Sequence, residues 1–197
     1  MRLILVRHAV TAETGNRLSG RNPGIALGPR GATAASDLAG NLASLELDAV
    51  YCSPIQRCHE TATILAAPHG RRPRTRAGLI EVDYGEWTGR TLRSLYRLRA
   101  WKALMKDPES FRFPNGETLD EVRRRSVGLV AKLAAVHGDK TVLAVSHGDV
   151  IRSIVAHCVS ESVDVIHRLH IDPLGVTVVE AANGHAPRVV VVNAPRL

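Results

Sequence analysis

Aromatic side chains are scarce in this chain: two Trp, three Tyr and two Phe among 197 residues. So few rings leave few platforms on which bases could stack, and the basic residues are scattered, with short clusters only at Arg71 to Arg76 and Arg123 to Arg125. A nucleic-acid partner is therefore not expected. Cysteine is scarcer still. Cys52, Cys58 and Cys158 are odd in number, and their spacings fit neither a disulfide framework nor a zinc knuckle, so they read as buried free thiols. Nor does any apolar run approach the roughly 20 residues that cross a bilayer. The N-terminal Leu3 to Val6 run is too short for a leader's apolar region and lacks a small-residue cleavage site, so the expectation is a cytoplasmic protein without membrane insertion.

What the chain has is a surplus of positive charge. Lys and Arg number 26 against 19 Asp and Glu, giving a formal charge of +7 and favouring anionic partners. With nucleic acid set aside, a small phosphorylated metabolite is the expected ligand. The length suits a single domain spanning residues 1–197.

The chain alternates strand-like and helix-like segments. Leu3 to Val6 reads as a strand buried on both faces, followed by a polar loop over Thr14 to Gly28 and a helix from Pro29 to Leu45. A second unit places a strand at Ala49 to Cys52, a cap and first turn at Ser53-Pro54, and a helix over Ile55 to Ala67. A third runs from a strand at Thr141 to Val145, through Ser146-His147-Gly148, into a helix over Asp149 to Val159. Helices are also expected over Leu92 to Met105 and Thr118 to Val136, the second opened by a capping box of Thr118 and Glu121. Two late strands, Val176 to Val179 and Val189 to Val192, connect through Asn183-Gly184. This alternation predicts a three-layer α/β/α sandwich around a mostly parallel sheet.

In such folds ligands bind beyond the carboxyl ends of the strands. His8, Ser53 and His147 all stand at strand ends, with Arg7 beside the first and Arg57 one turn into the helix after the second. Two imidazoles and two guanidiniums around one cavity suit a phosphoryl group, whose oxygens match the guanidinium fork and the N–H groups of helix N-termini.

These residues carry a family resemblance. Leu5-Val6-Arg7-His8 resembles the opening signature of the histidine phosphatase superfamily, which includes the cofactor-dependent phosphoglycerate mutases. Ser53-Pro54 with Arg57 and Thr61-Ala62 resembles its second motif, Leu79 to Trp87 with Gly89 its acid-bearing motif, Phe113 to Thr118 its Pro-Gly-Glu-Ser segment, and Ser146-His147-Gly148 its last. The resemblance implies a phosphoglycerate mutase-like fold. It also implies His8 as the nucleophile that holds phosphate covalently, Arg7, Arg57 and His147 as clamps on the phosphoryl oxygens, and Glu81 as general acid and base. Asp83 and Glu86 are the competing carboxylates.

Thr11 and Thr14 follow the nucleophile in the loop where relatives place phosphate donors, and Ser19, Gly20 and Arg21 continue it toward substrate; Gly148, in the turn after His147, is counted with Thr11, Thr14, Ser19 and Gly20 as substrate-binding. Two departures stand out. Ala9 occupies the position that is usually glycine after the histidine, and Thr14 the position of an expected asparagine. The segment Glu81 to Trp87 resembles the phosphatase form of its motif, and the chain has no room for the insertions of the glycolytic mutases. A phosphomonoesterase is therefore favoured over a phosphoglycerate mutase or a silent phosphate-binding protein. No cofactor or metal is expected, His167 and His170 at one-turn spacing being too few for a metal site. A homodimer is compatible with the sequence.

Overall fold

The computed structural model describes residues 1–160, 162–182 and 186–195. In chain order the strands are β1 (Arg2–Arg7), β2 (Ala49–Cys52), β3 (Arg74–Thr75), β4 (Thr141–Ser146), β5 (Val176–Glu180) and β6 (Arg188–Ala194). The helices are α1 (Pro29–Leu42), α2 (Gln56–Ala66), α3 (Leu92–Leu95), α4 (Arg99–Lys106), α5 (Leu119–His137) and α6 (Gly148–Val159). The six strands form one sheet in the order β3-β2-β4-β1-β5-β6. Pairings among β1 to β4 are parallel, whereas β5 and β6 extend the sheet in antiparallel fashion.

The apolar run of β1 is continuous because both faces are covered. Leu3 and Leu5 pack with Val150, Ile151 and Ile154 of α6, while Ile4 and Val6 pack with Leu38 and Leu42 of α1 and Leu65 of α2. Successive strand side chains point to opposite faces, so one strand feeds two cores and the sheet becomes the middle of three layers. The expected sandwich is what is observed. Among the described residues no helix is long and apolar enough to cross a membrane, and no group of three or more His, Cys, Asp or Glu could hold a metal.

Most expected elements lie within a few residues of their place, and the capping box is present: the Thr118 hydroxyl accepts from the Glu121 amide while the Glu121 carboxylate accepts from the Thr118 amide. Four local expectations need correction. The helix over Leu92 to Met105 is broken into α3 and α4, with an extended Leu98 between them. Leu95 and Leu104 are both buried, yet nine residues of continuous helix would set them about 180° apart, and the break lets both turn inward. Ser53 is not the cap of α2. Ile55 holds that position, because the Ser53 hydroxyl is engaged by His147. The strand Arg74–Thr75 at the sheet edge was not anticipated, being only two residues of an arginine-rich stretch. Cys52 and Cys58 are buried, but Cys158 is only partly so. The Asn183-Gly184 connection lies outside the described residues.

Candidate active site

Strand register assembles the site. Arg7 pairs with Ser146 and Cys52 with Val145, so the residues that follow each strand, His8, Ser53 and His147, meet at one edge of the sheet. Arg7, His8, Arg57 and Glu81 line a cavity of about 420 Å3 there, together with Thr11, Thr14, Ser19, Gly20 and Gly148. His147 is fully buried behind this wall and does not line it.

His8 Nδ1 lies 2.7 Å from the carbonyl oxygen of Ala9, which can only accept. That contact places the proton on Nδ1 and leaves Nε2 with its lone pair. Arg57 Nε donates to this lone pair at 3.1 Å. Burial, reinforced by the Arg57 and Arg7 charges, pushes the His8 pKa down to about 3, so the imidazole is neutral over the whole physiological range. Ala9 causes no strain: positive φ among described non-glycine residues is confined to Asn115, Leu174 and Asn193. Its amide donates to the Thr61 hydroxyl.

Arg57 is buried to 1% exposure. One terminal nitrogen donates to the Gly20 carbonyl at 2.8 Å and lies 3.1 Å from His147 Nδ1. His147 Nε2 faces the Ser53 hydroxyl at 2.8 Å. Burial pushes His147 well below its usual pKa, so Nδ1 accepts from Arg57 and Nε2 carries the proton toward Ser53. His147 therefore braces Arg57, and both its ring nitrogens are occupied in doing so. Arg7 donates to the Ile171 carbonyl at 2.6 Å. Among the described residues, Arg7 Nε and the other terminal nitrogen of Arg57 are buried without a hydrogen-bond partner. Two such donors in the wall of one cavity are an acceptor-seeking pair, because a buried N–H left unpaired costs about 1–3 kcal/mol.

Glu81 Oε1 accepts from the Val82 amide at 2.9 Å, and Oε2 lies 3.5 Å from His147 Nδ1. Burial first, and then the nearby Asp149 carboxylate, push its pKa up to about 7. The competing carboxylates are committed elsewhere: Asp83 accepts from the Gly85 amide and Glu86 from the Asn115 side chain. Neither lines the cavity. Thr11 and Thr14 are hydrogen-bonded to each other through their hydroxyls at 3.2 Å, and Ser19 donates to Glu13. Arg21 is not among the residues that line the cavity. It donates to the Glu81 carbonyl and pairs with Asp83 and Glu117.

Tyr84, Asp149 and Arg152, which no sequence motif marks as facing the site, also line this cavity. The Tyr84 hydroxyl donates to Asp149 at 2.6 Å, and Arg152 donates to the other Asp149 oxygen at 2.8 Å. Asp149 directly follows His147-Gly148 in the first turn of α6, a position that could have marked it as facing the site.

Known proteins resemble this chain along most of its length. Residues 3–195 match the model of the histidine phosphatase superfamily (branch 1). Phosphoserine phosphatase 1 of Hydrogenobacter thermophilus is 31% identical over 173 residues, covering 84% of this chain and 78% of that protein. The bifunctional protein Rv2228c of Mycobacterium tuberculosis is 32% identical over 205 residues; the alignment covers 98% of this chain but only 53% of that protein, so the chain spans about half its length. Among solved structures, the H9A mutant of phosphoserine phosphatase from Entamoeba histolytica, in complex with phosphoserine, superposes with a TM-score of 0.89. It is 23% identical and covers 98% of this chain and 97% of its own, a likeness of fold.

Proposed function

The chain belongs to the histidine phosphatase superfamily, branch 1, and from that membership and the geometry of its site we propose that it is a phosphomonoesterase that hydrolyses a small phosphorylated metabolite through a phosphohistidine on His8. The observation that carries this reading is the state of His8. It is a neutral imidazole whose Nδ1 proton is held by Ala9, leaving Nε2 unprotonated in a cavity walled by two arginines.

In the first half-reaction His8 Nε2 attacks phosphorus in line, the ester P–O bond breaks, and the departing oxygen takes the proton of Glu81. A carboxyl with its pKa raised to about 7 is protonated in a large part of the population near neutrality, as an acid for an alkoxide must be. In the second half, water attacks the phosphorus, the N–P bond breaks, and Glu81, now a carboxylate, takes the proton from the water. The unpartnered N–H groups of Arg7 and Arg57 suit equatorial phosphoryl oxygens, whose charge they stabilise in both transition states. His147 serves by fixing Arg57.

Hydrolysis is favoured over transfer because the Hydrogenobacter thermophilus relative at 31% identity carries a phosphatase name. Residues 1–197 are read as one catalytic unit.

The test is phosphate release from a panel of metabolite phosphates and an aryl phosphate, with His8→Ala as blank, together with capture of labelled phosphate on the protein. Acid-labile label on the wild type and none on His8→Ala is the expected result. Equal phosphate release by both proteins would refute it. Interconversion of phosphoglycerates faster than their hydrolysis would favour the mutase.

A further inference from the structure

Beyond the phosphoryl-binding end, the same cavity continues to a lip of unusual composition. Four of the chain's seven aromatic residues line it: Tyr84, Tyr96, Trp101 and Phe113. Tyr84 and Phe113 are buried and form part of the core, but Tyr96 and Met105 are not. Among the described residues, the large apolar side chains left exposed are four valines, Tyr96 at 53% and Met105 at 47%, and the latter two both line the cavity. Trp101 supports the lip from beneath, stacked on buried Trp87 with centroids 5.9 Å apart and meeting the Tyr96 ring edge-on at 4.7 Å. A chain that has few aromatics and brings exposed Tyr96 and half-buried Trp101 together at the mouth of one cavity has a surface suited to a ring. Methionine beside them adds an adaptable contact.

The carboxylates of the cavity argue against a cationic leaving group, and its other charged lining residues, Arg17 and Arg152 among them, are basic. Among the described residues, its only lining carboxylates are Glu81 and Asp149. Asp149 already accepts from both Tyr84 and Arg152, and Glu81 sits at the reacting end. An ammonium group on the leaving alcohol, such as the amino group of phosphoserine, has no free carboxylate to meet.

We infer that the preferred substrate is a phosphomonoester whose leaving alcohol carries an aromatic ring and no ammonium group, the ring lying against Tyr96, Trp101 and Met105. This inference rests on the phosphomonoesterase reading and narrows it to a substrate class.

Three esters of primary alcohols decide it: 2-phenylethyl phosphate, ethyl phosphate and phosphoserine, which share one type of scissile bond. The ring should raise kcat/KM about tenfold or more over the other two, the order expected from filling an apolar pocket. Tyr96→Ala and Trp101→Ala should bring the ratio toward one; Tyr96 is the safer variant because its ring is exposed. In parallel, calorimetry on the wild type should show 3-phenylpropylphosphonate binding about tenfold more tightly than propylphosphonate, a comparison that needs no turnover. Turnover of all three esters with no preference, or a preference for phosphoserine, would overturn the inference and leave the phosphatase reading standing. Absence of turnover with the phosphonate preference intact would overturn the phosphatase reading, and the substrate class with it, and leave only the ring site; equal phosphonate affinities would overturn the ring site whatever the turnover.

Discussion

Arg57 Nε donates to His8 Nε2 at 3.1 Å, so the electron pair expected to attack phosphorus is held by the residue expected to bind its oxygens. The two roles are compatible only if the arriving phosphoryl group draws the guanidinium to itself and frees the imidazole. Arg57 reaches that position because it stands in the first turn of α2, close after the end of β2, and because His147 and the Gly20 carbonyl fix its far end. A lysine in its place lacks the fork that touches His8, Gly20 and His147 together. Arg57→Lys should therefore lower kcat by about 10²- to 10³-fold with the fold intact by circular dichroism. Activity close to wild type would show that the fork is not used.

The ionisation of Glu81 sets a pH limit. Formation of phosphohistidine needs its protonated form, so the single-turnover rate of labelling should hold up to about pH 7 and fall above it. His8, held neutral down to about pH 3, imposes no matching limit on the acid side in the ordinary working range. The same shift affects stability. An acid whose folded pKa lies above its unfolded value stabilises the fold relative to ionised conditions below the usual carboxylate range, and that contribution is lost as pH rises toward about 7. Glu81→Gln should abolish both the alkaline limb of labelling and the pH-dependent loss of stability. A quench-flow profile and urea titrations across the range read the two.

Asp149 offers a way to move that limb without touching Glu81. Its carboxylate is, after burial, the main reason that the Glu81 pKa is raised. Asp149→Asn removes the charge but keeps the size and an oxygen able to accept from Tyr84. The alkaline limb should shift to lower pH. An unmoved limb would mean that burial alone sets the Glu81 pKa.

Much of this site was legible in the sequence because its parts sit at strand ends. Arg7, His8 and His147 each follow an uninterrupted apolar run, and parallel register brings such ends together without further information. What was hidden depends on packing between segments distant in the chain. The bracing of Arg57 by His147 needs the depth of His147 behind the cavity wall, which no spacing encodes. The break at Leu98 carries neither glycine nor proline and arises because Leu95 and Leu104 must both be buried. Tyr96 and Trp101 reach the cavity lip through that break, so the helix expected over Leu92 to Met105 concealed them.

Gly85 tests a turn that both sequence motif and structure require. Its φ is +51°, and a Cβ there would collide with the Pro114 carbonyl oxygen. The turn matters because it joins the Glu81 loop to the segment before α5, where Glu86 accepts from Asn115. Gly85→Ala should destabilise the protein by about 1–3 kcal/mol, the usual cost of a strained backbone position, with more if the two loops separate. Chemical denaturation measures it, and an unchanged midpoint would contradict the close approach.

Glu117 is the least obvious determinant of catalysis, since it neither lines the cavity nor approaches His8. Its carboxylate accepts from Arg21 at 2.9 Å, from Arg125 at 3.0 and 3.1 Å, and from the Asp83 amide at 3.0 Å. The two arginines thus held both donate to the backbone carbonyl of Glu81, Arg21 at 2.9 Å and Arg125 at 3.1 Å. Glu117 consequently positions the Glu81 main chain through two intermediaries. Glu117→Gln keeps the shape and an acceptor for the Asp83 amide, but leaves partly buried Arg125 without its counter-charge and Arg21 with Asp83 alone, at 3.4 Å. Stability should fall by about 1–3 kcal/mol. If the loop drifts by a fraction of an ångström, kcat should fall about tenfold to 10²-fold while KM changes little, because proton delivery is impaired and phosphate binding is not. A loss of stability with kcat unchanged would make Glu117 a structural residue only. A fall in kcat that Glu117→Asp partly restores would identify the charge as what holds Glu81 in place.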